Sequence, residues 1–383
     1  MAWRDLRVAR RLGLRVPLLQ SPMAGVQASD LAIAVSYAGG LGAIPCALMS
    51  VDAVRAHVQN FRKATNAPLN LNFFCHTLPP GNATADKQWQ DILRPYYQEY
   101  GIEMPDLAAI KDALRMPFDD KSVQLVRELT PEVISFHFGL PCPRLLKSVK
   151  DTGAFIISSA TTVREALWLE ERGCDAVIAQ GLEAGGHRGV FLSNTKEQNY
   201  SSNCQYRNSL MDFPQQTNTL SLVSQLVNAV NVPVIAAGGI GDARGILAAQ
   251  RLGAAAVQMG TVFLLADEAT TSTLHRNVLK QAANATENEI PETAITNIFS
   301  GRPARGFMTR VMQDLGPMCA AAPAFPAAGT LLKNLRLAAE AKGETAFSPM
   351  WSGQSPNFAF EQSATTILRS IIQDLDERIC SRV

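Results

Sequence analysis

The segment AQGLEAGGHRG, residues 179–189, places one histidine among four glycines. The side-chain amide of Gln180 both donates and accepts hydrogen bonds, so it suits the polar edge of a flat heterocyclic ligand. Glycines such as Gly185 let the backbone approach such a ligand closely. His187 has an ordinary pKa near 6.5, so it can accept a proton or hold an anion near neutral pH. We therefore treat His187 as the candidate catalytic residue.

Two further segments carry small residues at the ends of apolar runs. AAGGIGD places Gly238 and Gly239 where the chain leaves a predicted strand, and QMGT places Gln258 to Thr261 after the next one. Backbone amides without bulky side chains can hold a phosphate, aided by a helix dipole. The alternative is that these glycines only form tight turns. Their recurrence at two successive strands favours a phosphate site.

Four other histidines are weaker candidates. His137, in SFHFG, ends a predicted strand and faces either the ligand site or the outside. His76 follows NLNFFC and carries a weaker signal. His57 and His275 lie in helical patterns, so we expect them on the surface or in packing.

The elements that must position these residues repeat along the chain. Short apolar runs end in small or polar residues, and helical stretches follow them. Continuous apolar runs with Gly and Pro punctuation are typical of parallel strands buried on both faces. The predicted strands are Val16 to Gly25, Leu41 to Ala47, Pro68 to Phe74, Val133 to Gly139, Ala154 to Ala160, Ala176 to Gly181, Val232 to Gly239 and Ala255 to Thr261.

Amphipathic helices alternate with these strands. The segments Thr161 to Gly173 and Gly241 to Gly253 have apolar residues at helical spacing and stop at glycine. Eight such units predict an α/β fold, a (β/α)8 TIM barrel whose active site lies at the C-terminal ends of the strands. A doubly wound open sheet is the alternative, and the lack of GxGxxG in the first unit disfavours it.

Three stretches break the repeat and suggest domain boundaries. We expect a barrel over residues 1–265, with insertions near 80–128 and at the polar stretch 191–217. Residues 266–350 are predicted to form a mainly helical subdomain over the barrel mouth. Residues 351–383 are predicted to pack back on the barrel.

Composition excludes several classes of function. The formal net charge is +1 and 47% of the residues are hydrophobic, which argues for a large core and against nucleic-acid binding. No apolar run reaches the roughly 18 residues of a membrane helix. The seven scattered cysteines form no CxxC pair, so no metal site is predicted. The N-terminus lacks a signal peptide, so we expect a cytoplasmic protein.

The motifs QSPMAG, NLNFF, SFHFG, AQGLEAGGHRG, PVIAAGGIGD and QMGT occur in this order and resemble the nitronate monooxygenases, formerly 2-nitropropane dioxygenases. WSGQSP, residues 351–356, is similar to the W-x-G-Q motif of that group. The resemblance covers residues 14–265 strongly and the remainder loosely. It implies a noncovalently bound FMN. The implied cofactor residues are Met23, Ala24, Asn72, Gln180, Gly185, Gly238, Gly239, Gln258, Met259, Gly260 and Thr261.

The resemblance also implies a reaction. A nitronate gives one electron to the flavin, oxygen takes it back, and the products are a carbonyl compound and nitrite. His187 matches the active-site histidine of the family, and His137 matches a second histidine near the substrate. His187 would bind the nitro oxygens or, with neutral nitroalkanes, remove the α-proton. The expected partners are a nitronate or nitroalkane and molecular oxygen, in a monomer or homodimer.

Departures from the family pattern leave alternatives open. Aromatic residues expected near the substrate align poorly around Phe325 and Phe360. The same barrel occurs in FMN-dependent NAD(P)H:quinone reductases and enoyl-acyl-carrier-protein reductases, where a nicotinamide reduces the flavin. A non-catalytic flavin-binding or phosphate-binding protein is a third hypothesis, which the histidine among glycines disfavours.

Overall fold

Eight parallel strands form a barrel in the computed structural model, which describes residues 3–106, 115–192, 216–286 and 289–380. The first six are β1 (Leu18–Gln20), β2 (Gly42–Pro45), β3 (Leu69–Phe74), β4 (Val133–His137), β5 (Phe155–Ala160) and β6 (Ala176–Gln180). The short strand β7 (Gly186–His187) lies outside the barrel, which β8 (Val234–Ala237) and β9 (Ala256–Met259) complete.

The strand order closes the sheet on itself. Neighbouring strands follow the order β1, β9, β8, β6, β5, β4, β3, β2, and all of these pairs are parallel. A parallel bridge between Leu19 and Leu41 then joins β1 to the start of β2. The TIM-barrel prediction is therefore confirmed, and each predicted apolar run contains one barrel strand.

Burial on both faces explains why these runs are mostly apolar. Every residue of β3 and of β5 is buried. One face of each strand packs inside the barrel, and the other packs against the surrounding helices. Polar members of such strands are buried as well, and Asn72 of β3 donates its side-chain amide to the hydroxyl of Ser135 at 2.9 Å.

Helices surround the barrel. Those up to β9 are α1 (Arg7–Leu12), α2 (Ser29–Tyr37), α3 (Val51–Ala64), α4 (Ala83–Tyr100), α5 (Asp120–Leu129), α6 (Pro143–Lys150), α7 (Val163–Glu171), α8 (Thr219–Ala229) and α9 (Ala243–Arg251). The later ones are α10 (Thr273–Asn284), α11 (Arg310–Leu315), α12 (Ala328–Ala341) and α13 (Ala364–Cys380).

The predicted helix at residues 161–173 is present as α7, and Thr162 caps it. The hydroxyl of Thr162 accepts a hydrogen bond from the backbone amide of Glu165, which fixes the first turn. Thr161 instead donates its backbone amide to the Glu165 carboxylate at 2.7 Å. The helix at residues 241–253 is also confirmed, and it begins after Asp242, whose carboxylate caps it.

A second core lies beside the barrel and draws on two distant stretches. Helix α4 packs against α12, where Trp89 is fully buried and donates its indole N–H to the carbonyl of Ala328 at 3.2 Å. The stretch predicted as mainly helical also contains an antiparallel pair, β10 (Thr293–Thr296) and β11 (Ala304–Phe307). Strand β11 pairs in turn with β7. The part of the chain that follows β9 is therefore hydrogen-bonded to the segment that carries His187.

Helix α13 packs against α2 and α9 on the barrel exterior. The boundaries 1–265, 266–350 and 351–383 stay predictions, as does the role of the 191–217 stretch, because residues 193–215 lie outside the described residues. Among the described helices, none is both long and apolar enough to cross a bilayer.

Candidate active site

A cavity of about 230 Å³ lies at the C-terminal ends of the barrel strands. This is the position that the fold dictates for an active site. All but one of the predicted site residues lie on its wall. They are Met23, Ala24, Asn72, His137, Gln180, Gly185, His187, Gly238, Gly239, Gln258, Gly260 and Thr261.

Met259 is the exception. Its side chain is 1% exposed and belongs to the hydrophobic core, whereas the neighbouring Gln258 lines the cavity. Successive side chains of a strand point to opposite faces, so Gln258 and Met259 cannot both face the ligand. The carbonyl of Met259 accepts a hydrogen bond from the backbone amide of Ser21 at 2.7 Å, and the cofactor role of Met259 stays a prediction.

The loops after β8 and β9 present backbone amides to this cavity. Within the described residues, the amides of Gly239, Ile240, Thr261 and Val262 donate to no protein acceptor. All four residues line the cavity. Amides without acceptors at converging strand ends are suited to anionic oxygen atoms.

Gln180 holds a loop as well as facing the cavity. Its Oε1 atom accepts from the backbone amide of Gly189 at 2.7 Å, and its Nε2 atom donates to the carbonyl of His187 at 2.9 Å. Both hydrogen bonds fix residues 181–189 over the strand end. The amide oxygen predicted for a flat ligand is therefore already engaged by the chain.

Gly185 is required by a close crossing of two chain segments. A Cβ atom there would lie 2.5 Å from the backbone nitrogen of Gly353, too close for any side chain. The amide of Gly353 also donates to the hydroxyl of Thr261 at 2.9 Å. The WSGQSP segment thus packs onto both the His187 loop and the loop after β9, and Ser352, Gly353 and Ser355 join the cavity wall.

The hydrogen bonds of His187 define its tautomer. Its Nε2 atom lies 2.9 Å from the hydroxyl oxygen of Ser300, and that hydroxyl donates to the carbonyl of Arg302 at 3.2 Å. A hydroxyl has one hydrogen, so a Ser300 that donates to the carbonyl of Arg302 accepts from Nε2–H of His187. The lone pair of the neutral imidazole therefore lies on Nδ1.

The surroundings of His187 keep its ring neutral. Burial lowers its pKa well below the ordinary value, and the nearby guanidinium of Arg115 lowers that pKa further. The rings of Phe325 and Trp351 lie 5.6 and 5.5 Å from the imidazole centroid. Phe74 and Phe138 lie slightly farther away. An apolar enclosure of this kind disfavours the imidazolium form.

His137 lies below the same loop and uses both ring nitrogens. Its Nε2 atom is 3.1 Å from the carbonyl of His187, so it donates, and its Nδ1 atom accepts from the Ser159 hydroxyl at 2.6 Å. Burial lowers the pKa of His137 to about 3. The ring lines the cavity as a neutral support for the His187 backbone, with no lone pair left for a substrate proton.

The family of the chain follows from its similarity to known proteins. A family model described as nitronate monooxygenase matches residues 8–374. The chain belongs to the nitronate monooxygenase family. It is 37% identical over 371 residues to a nitronate monooxygenase of Pseudomonas aeruginosa, covering 96% of this chain and 99% of that protein. It is 35% identical to one of Paraburkholderia phytofirmans, covering 96% and 94%.

Solved structures extend the likeness to the fold. Nitroalkane oxidase from Streptomyces ansochromogenes matches with a TM-score of 0.82 and 32% identity, covering 97% of this chain and 98% of the other. FabK from Thermotoga maritima matches with a TM-score of 0.68 and 26% identity, covering 99% and 98%. As a member of the nitronate monooxygenase family, the chain is an oxidoreductase.

Several residues near His187 escaped the sequence analysis. Ser300 and Trp351 lie in the part of the chain that follows β9. No barrel strand was predicted there, so the rule for strand ends could not identify them. Arg115 lies in the connection between β3 and β4 and lines the cavity. The loose WSGQSP resemblance was a signal for the Trp351 segment. Arg115 and Ser300 had none.

The remaining histidines and the two phenylalanines match the sequence-based expectation only in part. His275 is buried, as expected for packing, but it also lines the cavity. His76 is buried outside the cavity wall, with Nε2 2.9 Å from the carbonyl of Arg115, while His57 is half-buried near Ser29. Phe325 contacts His187, whereas Phe360 is half exposed, so only the former belongs to the site.

Proposed function

We propose that this chain binds FMN and oxidises alkyl nitronates with molecular oxygen to carbonyl compounds and nitrite. One observation carries the proposal. A neutral imidazole, His187, lies on a cavity whose wall also holds backbone amides without acceptors. This arrangement can place a phosphate-bearing planar cofactor beside a group that handles the nitro end of a substrate. Membership of the nitronate monooxygenase family supports the same reaction.

The residues present fit FMN. The amides of Gly239, Ile240, Thr261 and Val262 would hold the phosphate, since they lack other acceptors within the described chain. The Oε1 atom of Gln258 is buried at the cavity wall with no hydrogen-bond partner, so a ring N–H of the flavin would satisfy it. When bound, FMN supplies a ring that accepts one electron from the nitronate and returns it to oxygen.

His187 is suited to anionic substrates more than to neutral ones. Its Nδ1 lone pair can take the α-proton of a nitroalkane, because Nε2–H is bound to Ser300. A pKa well below 6.5 makes that imidazole a weak base, so proton removal from a neutral nitroalkane is inefficient. A nitronate has already lost this proton. We therefore place nitronates ahead of nitroalkanes as substrates.

The aromatic wall protects the reaction from solvent. Phe74, Phe138, Phe325 and Trp351 surround His187. Excluding water strengthens hydrogen bonds and charge interactions within the cavity, and it keeps reactive species from side reactions.

The decisive experiment mixes the purified protein with ethyl nitronate, and separately with NADH, in the absence of oxygen. The visible spectrum of the protein is recorded before and after each addition. We expect flavin absorption bands that bleach on adding ethyl nitronate. A colourless protein that takes up no added FMN would contradict the cofactor assignment. Bleaching by NADH without any response to ethyl nitronate would contradict the substrate assignment.

The likeness to FabK favours one alternative, an FMN-dependent reductase that uses NAD(P)H. A broad groove next to the cavity, lined by residues from both the barrel and α12, offers room for a second substrate. Bleaching by NADH in the same experiment distinguishes this alternative from the oxidase.

A further inference from the structure

Arg115 lies where the cavity meets the neighbouring groove. It lines both spaces, as does His187. Among the described residues, Arg115 is the only lysine, arginine, aspartate or glutamate on the cavity wall. Any charged group that enters the cavity therefore meets this one permanent cation.

The guanidinium of Arg115 has no anionic partner within the described chain. Its Nε atom is buried and makes no hydrogen bond. Burial lowers the pKa of Arg115 to about 10, so the group stays protonated at neutral pH. A buried cation without a counterion is costly in a folded protein. The cost is offset if a ligand supplies the anion.

Two aromatic faces hold the guanidinium near the imidazole. The Cζ atom of Arg115 lies 5.6 Å from the ring centroids of both Phe74 and Phe325. The same two rings flank His187. Cation–π contacts orient the side chain without consuming its N–H donors. The donors therefore remain available beside His187.

The other nearby groups do not compete for this role. Arg302 donates to the carbonyl of Val190 and lies 4.0 Å over Phe138, away from the cavity wall. His137 and His187 are both neutral because burial lowers their pKa values. Arg115 is left as the group with charge and free donors.

We propose that Arg115 binds the oxygen atoms of the nitronate anion and thereby makes the site select the anion over the neutral nitroalkane. The proposal rests on the proposed function and names its specificity-determining residue. A planar guanidinium with parallel N–H groups matches a planar –NO₂ group with two oxygens, as it matches a carboxylate. The low-dielectric aromatic surroundings strengthen that interaction.

The test compares kcat/KM for ethyl nitronate and for nitroethane, which differ by one proton. We expect Arg115→Gln to lower kcat/KM for ethyl nitronate by about 10-fold to 100-fold, the range for a lost charge-assisted hydrogen bond. For nitroethane the loss should stay below about threefold, because a neutral substrate makes a weaker bond to the guanidinium. Arg115→Lys keeps the charge and should recover part of the preference.

A matched control and a second readout separate binding from structure. Lys333 is an exposed cation on the groove, outside the cavity wall, so Lys333→Gln should change both kinetic values by less than about twofold. Nitrate is a stable planar anion. Calorimetric titration of the purified protein with nitrate should give a dissociation constant that rises about tenfold or more in Arg115→Gln.

Each outcome bears on one of the two proposals. Equal losses for both substrates with unchanged nitrate affinity would mean that Arg115 is only structural. If Arg115→Gln does not fold, Arg115→Met is the uncharged replacement, and an unchanged substrate preference in Arg115→Met overturns the inference. Nitrate binding that depends on Arg115, in a wild-type protein that oxidises no nitronate, would leave the anion site standing and refute the proposed function.

Discussion

The two sides of the cavity recognise ligands by different means. The loops after β8 and β9 contribute backbone amides, such as those of Gly239 and Thr261, and no titratable side chain. The second side is formed by β4, β7 and the residues next to Arg115. It contributes the side chains of His137, His187 and Arg115. Backbone recognition depends on loop shape, whereas the second side depends on particular side chains. Substitutions should therefore separate cofactor binding from substrate chemistry.

The largest effect is expected for His187→Asn. Loss of the imidazole base should lower kcat/KM for nitroethane by about 10²-fold, the low end for a positioned base because this imidazole is a weak one, while ethyl nitronate loses less because no proton must be removed. FMN content, measured by absorbance, should stay at the wild-type level. His57→Asn, at a half-buried histidine outside the cavity wall, is the control. Unchanged nitroethane turnover in His187→Asn would remove His187 from the mechanism.

Gln180→Leu tests whether Gln180 positions His187 or binds FMN. Its amide holds Gly189 and the carbonyl of His187, so we expect kcat to fall about 10-fold to 100-fold through misplacement of the imidazole. The FMN dissociation constant should change by less than about threefold. Stopped-flow kinetics and FMN fluorescence titration measure the two quantities. A large loss of FMN affinity with normal kcat would instead assign Gln180 to the flavin.

Gly239→Ala should weaken FMN binding by about tenfold, because the residue has a φ of +66° and the new Cβ would lie 3.0 Å from the Cβ of Glu183. Gly343→Ala introduces the same kind of strain at φ +78° in open space, after the end of α12. Both variants should lose about 1–2 kcal/mol of unfolding free energy in urea titrations. Equal FMN affinity in the two variants would contradict the amide site.

The smallest effect concerns stability in acid. The folded-state pKa of His137, about 3, lies below its unfolded value of about 6.5, so the unfolded chain binds more protons between these values. Stability should therefore fall as pH decreases below about 6.5, by up to about 1.4 kcal/mol per pH unit. Urea unfolding between pH 5 and 7.5 measures the slope, and His137→Gln should reduce it. A slope that is identical in both proteins would show that His137 does not titrate in this way.

The barrel could be predicted because its strands are buried on both faces. Runs such as Pro68 to Phe74 and Ala154 to Ala160 are then mostly apolar, and their few polar residues are small and buried. The site followed from the rule that barrel sites lie at the C-terminal strand ends, and Gln258 satisfies it. The side chain of Met259 packs in the core instead, because strand alternation places it on the opposite face from Gln258.

Contacts between distant segments could not be predicted. The pairing of β7 with β11 joins residues far apart in sequence, and no local pattern specifies it. The hydrogen bonds of Gln180 depend on the path of the 181–189 loop, which only the folded structure defines. Arg115 precedes α5 and belongs to no periodic segment, so its place beside His187 depends on tertiary structure alone.

The pairing of β7 with β11, and the packing of Gly353 on Gly185, also set an order for biosynthesis. A ribosome releases the β9 strand well before residues 304–307 and 353 leave the exit tunnel. The nascent chain can thus complete its eight-stranded sheet while the histidine segment still lacks its neighbours. Enzymatic competence should arise only after residue 353 has left the tunnel and packed on Gly185.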